Sequence, residues 1–170
     1  NGHYTLKQLV DAKNLQIGQI TKLGFDKKNV VFTSNSKLWV YNDRFIAIDS
    51  SDRKIDLYNT SEGTIAFIPE KGFFRIENDS KTLQCKSDQI EPNGIINVVS
   101  INKHLIAISK KYPWTYDISG NSPSILKLKN LGLNPNDRVE KSFVTNSYLF
   151  LCTSSGGLLM LDLSNESIYN

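Results

Sequence analysis

Residues 44–63 read RFIAIDSSDRKIDLYNTSEG: an apolar strand, a polar turn, a second strand and a second turn. Residues 45–48, FIAI, make a short β-prone run closed by the turn formers Asp49, Ser50, Ser51 and Asp52. Ile55, Leu57 and the Tyr58-Asn59 pair then alternate with Lys54 and Asp56, the period of two expected when one face of a strand lies against another layer. Residues 60–63 turn the chain again. Residues 64–68 add a third apolar segment, ended by Pro69, which has no N–H to give to a ladder.

The same order returns twice. HLIAISKKYPWTYDISG (104–120) and YLFLCTSSGGLLMLDLSN (148–165) each run strand, turn, strand, and close on Tyr-Asp or Leu-Asp. A short strand with an Asn-centred turn precedes each copy: KLWVYN (37–42), NVVSIN (97–102) and KSFVTN (141–146). A four-stranded unit follows, with strand A ending at Asn42, Asn102 or Asn146, strand C carrying the terminal pair, and strand D more variable.

This unit resembles the WD40 repeat, whose strand C usually ends on Trp-Asp after a short polar turn. Tyr58-Asn59 stands in that place, with Asp52 in the B–C turn; no Gly-His pair precedes any strand A, and no copy has a true Trp-Asp. The resemblance covers residues 36–170, and the repeats straddle the roughly 40–45-residue period of such blades. It implies an all-β fold, a WD40-like β-propeller with about three to four four-stranded blades visible. Propellers carry roughly 4–8 blades, so the chain is expected to be part of a larger one.

Outside those copies the chain divides simply. Residues 1–16 read as a helical extension and 17–170 as the propeller segment. The one helix, YTLKQLVDAKN (4–14), opens with the capping-box spacing of Thr5 and Gln8 and the staple positions Tyr4 and Leu9. IGQITKLGF (17–25) and NVVFTSN (29–35) are two strands that do not align with the later copies, which suits an incomplete blade or an outer strand for a blade closed from the other end. GFFRIE (72–77) and KTLQCK (81–86) read as an added hairpin. Phe73, Phe74 and Ile76 in it need burial, and they pack either within the hairpin or in the layer between blades, or else form with Arg75 a protrusion that binds a partner.

The B–C turn of the second copy, KKYPW (110–114), is larger and more aromatic than its equivalents. Tyr and Trp are enriched at binding hot spots because each supplies large, rigid apolar area with a polar handle. Lys110, Lys111, Tyr112 and Trp114 are therefore candidate partner-binding residues, the alternative for Trp114 being simple packing between blades.

Charge and chemistry narrow the function classes. Twenty Lys and Arg against 17 Asp and Glu leave an excess of three positive charges spread along the chain. Nucleic acid, which selects a clustered basic face, is not an expected partner. Two cysteines make no disulfide framework, so a reducing intracellular setting, cytoplasmic or nuclear, is expected. Asn59, Asn78 and Asn165 head glycosylation triplets, but in a chain rich in Asn and Ser such triplets arise by chance. No apolar run is long enough to span a membrane, which leaves peripheral membrane association through partners. His3 and His104 are the only histidines, and neither sits at nucleophile or metal-ligand spacing. Gly156-Gly157 forms no phosphate loop, and Asp49, Asp52 and Asp56 lack calcium-loop alternation. No catalytic residue, cofactor or metal is expected. The resemblance then implies a non-catalytic scaffold for proteins within a multi-subunit, eukaryotic-style assembly. Two other readings are a ubiquitin-ligase substrate-recognition subunit with an F-box upstream, and a membrane-trafficking tether or coat propeller.

Overall fold

The computed structural model describes residues 17–26, 29–34, 36–87, 90, 94–101, 103–111, 115–125, 136–145 and 148–162. The regular elements among them are all strands. In order they are β1 (Ile20–Asp26), β2 (Asn29–Ser34), β3 (Lys37–Asn42), β4 (Arg44–Ser50), β5 (Asp56–Thr60), β6 (Gly63–Ile68), β7 (Gly72–Glu77), β8 (Ser80–Cys85), β9 (Ile95–Ile101), β10 (His104–Ser109), β11 (Thr115–Asp117), β12 (Ser124–Ile125), β13 (Val139–Val144), β14 (Tyr148–Thr153) and β15 (Leu158–Asp162). Within each of four separate meanders, β1–β4, β5–β8, β9–β12 and the three-stranded β13–β15, every strand pairs antiparallel with the next in sequence. The helix expected over residues 4–14 lies outside the described residues.

Polar corners make these meanders possible. Asp43 between β3 and β4, and Asn78 between β7 and β8, both sit at φ 55°. Asn and Asp tolerate that left-handed region because their short side chains hydrogen-bond locally. Gly72 opens β7 at φ +127°, and a Cβ placed on it would lie 2.2 Å from the carbonyl oxygen of Cys85. Only glycine fits there.

The sheets stack in a row. β5 lies beside β1, β9 beside β5 and β13 beside β9, so the first strands of successive sheets are neighbours. An apolar layer fills each junction. Val31, Leu38 and Val40 of the first sheet meet Leu57, Ala66, Ile68 and Ile76 of the second. The opposite face of the second sheet, with Ile65, Phe67 and Phe73, packs on Val98, Leu105 and Ala107 of the third. Ile106 and Ile108 on the third sheet's other face meet Leu149 and Leu151 of the fourth. Full burial of one such side chain contributes about 1.5–3 kcal/mol, so sheet-on-sheet contact rather than any single hairpin holds the molecule together.

The meanders shift the phase of the repeat. Copies beginning at residues 97 and 141 coincide with the third and fourth sheets. The copy over residues 37–68 instead joins the last hairpin of the first sheet, β3–β4, to the first hairpin of the second, β5–β6. Residues 17–35 therefore supply the first two strands of a complete sheet rather than an incomplete blade. Likewise, GFFRIE and KTLQC are β7 and β8, the outer half of the second sheet, and not an added hairpin.

Candidate interaction surface

A meander places its turns alternately at two edges, so the row has two rims. Polar contacts join like rim to like rim. On the first, the Asp49 carboxylate at the end of β4 accepts from Lys71 Nζ at 2.7 Å and also from Lys81 Nζ, pinning the first sheet to the second. Lys71 donates further to the carbonyl of Ser50 at 3.0 Å. Lys81 Nζ lies 4.5 Å from the centre of the Phe74 ring, and burial holds its amine below the usual lysine range. Between the third and fourth sheets, Lys110 Nζ pairs with Glu140 Oε2 at 3.1 Å. The Lys110 carbonyl also accepts from Val139 N at 3.0 Å.

The second rim centres on Glu62, in the turn between β5 and β6. Its carboxylate accepts from Ser100 Oγ at 2.7 Å and from Arg75 Nη2 at 2.8 Å, tying the second sheet to the third. The Ser100 hydroxyl, then the Arg75 guanidinium, hold this carboxyl below its usual range against a smaller opposing push from burial. Asp26 Oδ2 accepts from Asn78 N at 2.9 Å, across the first and second sheets. Asp117 accepts from Ser119 N at 2.8 Å and contacts His104 Nδ1 at 2.6 Å. Burial is the largest single influence on Asp117 and pushes its carboxyl up, but the Ser119 N–H and hydroxyl together with His104 outweigh it and leave it low.

Side chains also bridge adjacent first strands. Asn59 Nδ2 donates to the Leu23 carbonyl at 3.3 Å, Tyr58 Oη to that of Ile95 at 3.2 Å, and Asn97 Nδ2 to that of Ser142 at 3.4 Å. Burial, followed by the nearby Asp56 charge, pushes the Tyr58 phenol far above its ordinary value, which keeps it a neutral donor. Gly24 permits the close approach of β1 to the second sheet, since a Cβ there would meet Thr64 Cγ2 at 2.7 Å.

With this geometry in view, the candidate residues fall into three groups. Lys110 and Lys111 lie together in the turn after β10, Lys110 half-buried in its pair with Glu140 and Lys111 exposed. Tyr112 and Trp114 lie outside the described residues. Phe73 and Phe74 are buried, Phe73 against the third sheet and Phe74 against the first, so neither side chain forms a protruding contact surface. Arg75 belongs to the Glu62 pin. Phe73 and Phe74 are thus core residues, because their strand lies in the middle of a sheet covered on both faces.

No family model and no curated protein matches the chain. Among solved structures it is similar to a computationally designed protein, Ika4, with a TM-score of 0.61 and 12% sequence identity, over 94% of this chain and 99% of that one. At that identity the likeness concerns the fold alone. Among the described residues no group of three or more His, Cys, Asp or Glu is placed to hold a metal ion, and no helix is long and apolar enough to cross a membrane.

Two features escaped the sequence. Asp49 and Glu62 look like ordinary turn residues, because each finds a partner on another sheet, far away in the chain. The second is apolar exposure at the two ends of the row. Leu23 and Phe25 on β1, and Phe143, Leu158 and Met160 on the fourth sheet, are all exposed. On the first sheet the large apolar side chains that are exposed are confined to β1, since Phe32 and Trp39 on the same face as Leu23 are buried.

Proposed function

We propose that the four sheets are blades of a WD40-like β-propeller and that the protein is a non-catalytic platform, taking protein partners through turns on the rim that carries Lys110 and Lys111. One observation supports this above others: the turn after β10 is mounted on a rigid base. Residues 105–109 are buried, Lys110 N donates to the Gly94 carbonyl, and the Lys110 side chain and carbonyl are both held by the fourth sheet. Lys111 then stands at the exposed edge of a fixed corner. Binding residues on a loop fixed by a rigid scaffold lose little conformational freedom when a partner arrives.

The test is a double change, Lys111→Ala with Tyr112→Ala, read by affinity purification and mass spectrometry of co-purifying proteins. Recovery of partners should fall severalfold while the denaturation midpoint stays put. Unchanged recovery rejects the rim assignment. The identity of the proteins recovered separates a general assembly subunit from a ubiquitin-ligase subunit or a coat component.

A further inference from the structure

The first sheet has two unlike faces. Val31, Leu38 and Val40 point towards the second sheet and are buried against it. Leu23, Phe32 and Trp39, paired across β1, β2 and β3, point the other way, and Ser34 shares that side of β2 with Phe32. The second sheet lies on the opposite face, so it cannot cover them. Yet Phe32 is 3%, Ser34 1% and Trp39 7% exposed, while Leu23 at 52% and Phe25 at 63% stand open beside them. Phe32 and Trp39 lie parallel at 6.3 Å and cover each other's flanks, but such a pair leaves the tips of its rings bare. The Ser34 hydroxyl and the Trp39 indole nitrogen are enclosed without a hydrogen-bond partner. Shutting a donor away from both water and an acceptor is costly. What lies against these two groups therefore excludes water and offers no acceptor, which describes an apolar side-chain surface and not a polar turn.

The width of the sealed zone narrows the choice of cover. It spans β2 and β3, with Ile20, Leu23 and Phe25 exposed on β1 and Ala47 exposed on β4 opposite Trp39. Strands lie about 4.8 Å apart, so two of them take a cover about 10 Å wide, which is one α-helix; a packed sheet would bury β1 and β4 as well. We infer that residues 4–14 are that cover, an amphipathic helix laid along β2 and β3 with Leu6, Leu9 and Val10 turned onto Phe32 and Trp39. The sequence supports this occupant, because YTLKQLVDAKN is its helical stretch and Leu6, Leu9 and Val10 fall on one face of it. Length agrees: these residues make a helix of about 16 Å, against about 20 Å for a strand the size of β2 or β3. So does the point of entry. Ile20 pairs with Ser34, so the chain preceding β1 joins the sheet beside the sealed zone. Lys7, Gln8 and Asp11 form the opposite, polar face, as the terminal cap of a repeat array requires. The strap then closes the row at the first sheet and takes the place that a further sheet would need.

The test reads Trp39 fluorescence in the full chain carrying Trp114→Phe, which leaves Trp39 as the sole tryptophan. Acrylamide should quench this parent weakly. Leu9→Glu, which puts a charge on the apolar face of the helix, should raise the quenching constant severalfold and shift the emission to the red, and Leu9→Ala should fall between the two. Gln8→Glu places the same charge on the opposite face, keeps the capping box, and should change neither reading. Circular dichroism should retain the β signal of the parent throughout; if Leu9→Glu loses it, the comparison of Leu9→Ala with Gln8→Glu decides alone. A Trp39 that stays shielded in both Leu9 variants overturns the inference and gives the cover to another segment. Free quenching in the parent overturns it too, and protection that disappears on dilution of the parent assigns the face to a second copy instead.

Discussion

The second and fourth sheets are cut from the same meander, yet they live differently. The second is covered on both faces, with Phe74 and Ile76 turned to one neighbour and Phe67 and Phe73 to the other. The fourth is covered on one, with Leu149 and Leu151 buried while Phe143, Leu158 and Met160 face outwards. Their strands are comparably apolar, GTIAFI against YLFLCT. The difference teaches that a strand's worth here is set by the sheets beside it, since a lone hairpin has marginal stability and most of the favourable free energy comes from area removed from water.

The sharpest way to break the second sheet is Gly72→Ala. A Cβ at 2.2 Å from backbone, on a residue at φ +127°, has nowhere to go, and the loss should reach about 4 kcal/mol or more by urea denaturation. Next comes a matched pair of truncations. Phe73→Ala should cost about 3–5 kcal/mol, the usual range for a buried aromatic, while Phe143→Ala should cost under about 1 kcal/mol. Equal losses would refute the contrast between the sheets. Asp49→Ala removes the shared acceptor of two lysines and should cost about 2 kcal/mol, a typical figure for hydrogen bonds to charged groups.

The smallest effect expected is one of pH. Glu62 and Asp117 both titrate lower in the folded protein than in the unfolded chain, so their stabilising contribution is complete above the usual carboxylate range. It is lost as the pH falls through their depressed folded values. Denaturation midpoints should therefore drop on acidification through that range, and Glu62→Gln should flatten part of the drop. An identical pH profile in the variant would remove Glu62 from the account.

Much of the strand content was legible in the sequence, and its grouping only for the third and fourth sheets. KLWVYN-D-RFIAID and NVVSIN-K-HLIAIS have the same apolar pattern around the same kind of polar corner. One is the outer hairpin of its sheet and the other the inner, and periodicity carries no mark of that distinction. Only the packing partner decides it. For the same reason Phe73 and Phe74, read from a run of apolar residues beside turns, suited a protrusion as well as a core. That Lys110 and Lys111 follow directly on a strand was legible, because an apolar run ending in a basic pair is a local feature. The Glu62 pin joins Arg75 on its own sheet to Ser100 on the next, and no local pattern announces such a pair.

No strand in the described chain pairs with one that is not its neighbour in sequence. Assembly of each sheet therefore requires closing only short loops, which places this all-β protein nearer the fast end for its class, where contacts local in sequence speed folding. The sheets are also contiguous pieces of polypeptide. A ribosome delivering the chain from its N-terminus releases one whole sheet at a time, and each can dock on the last before the following one emerges. The slow step is then the arrival of the next sheet, not the search for a distant strand.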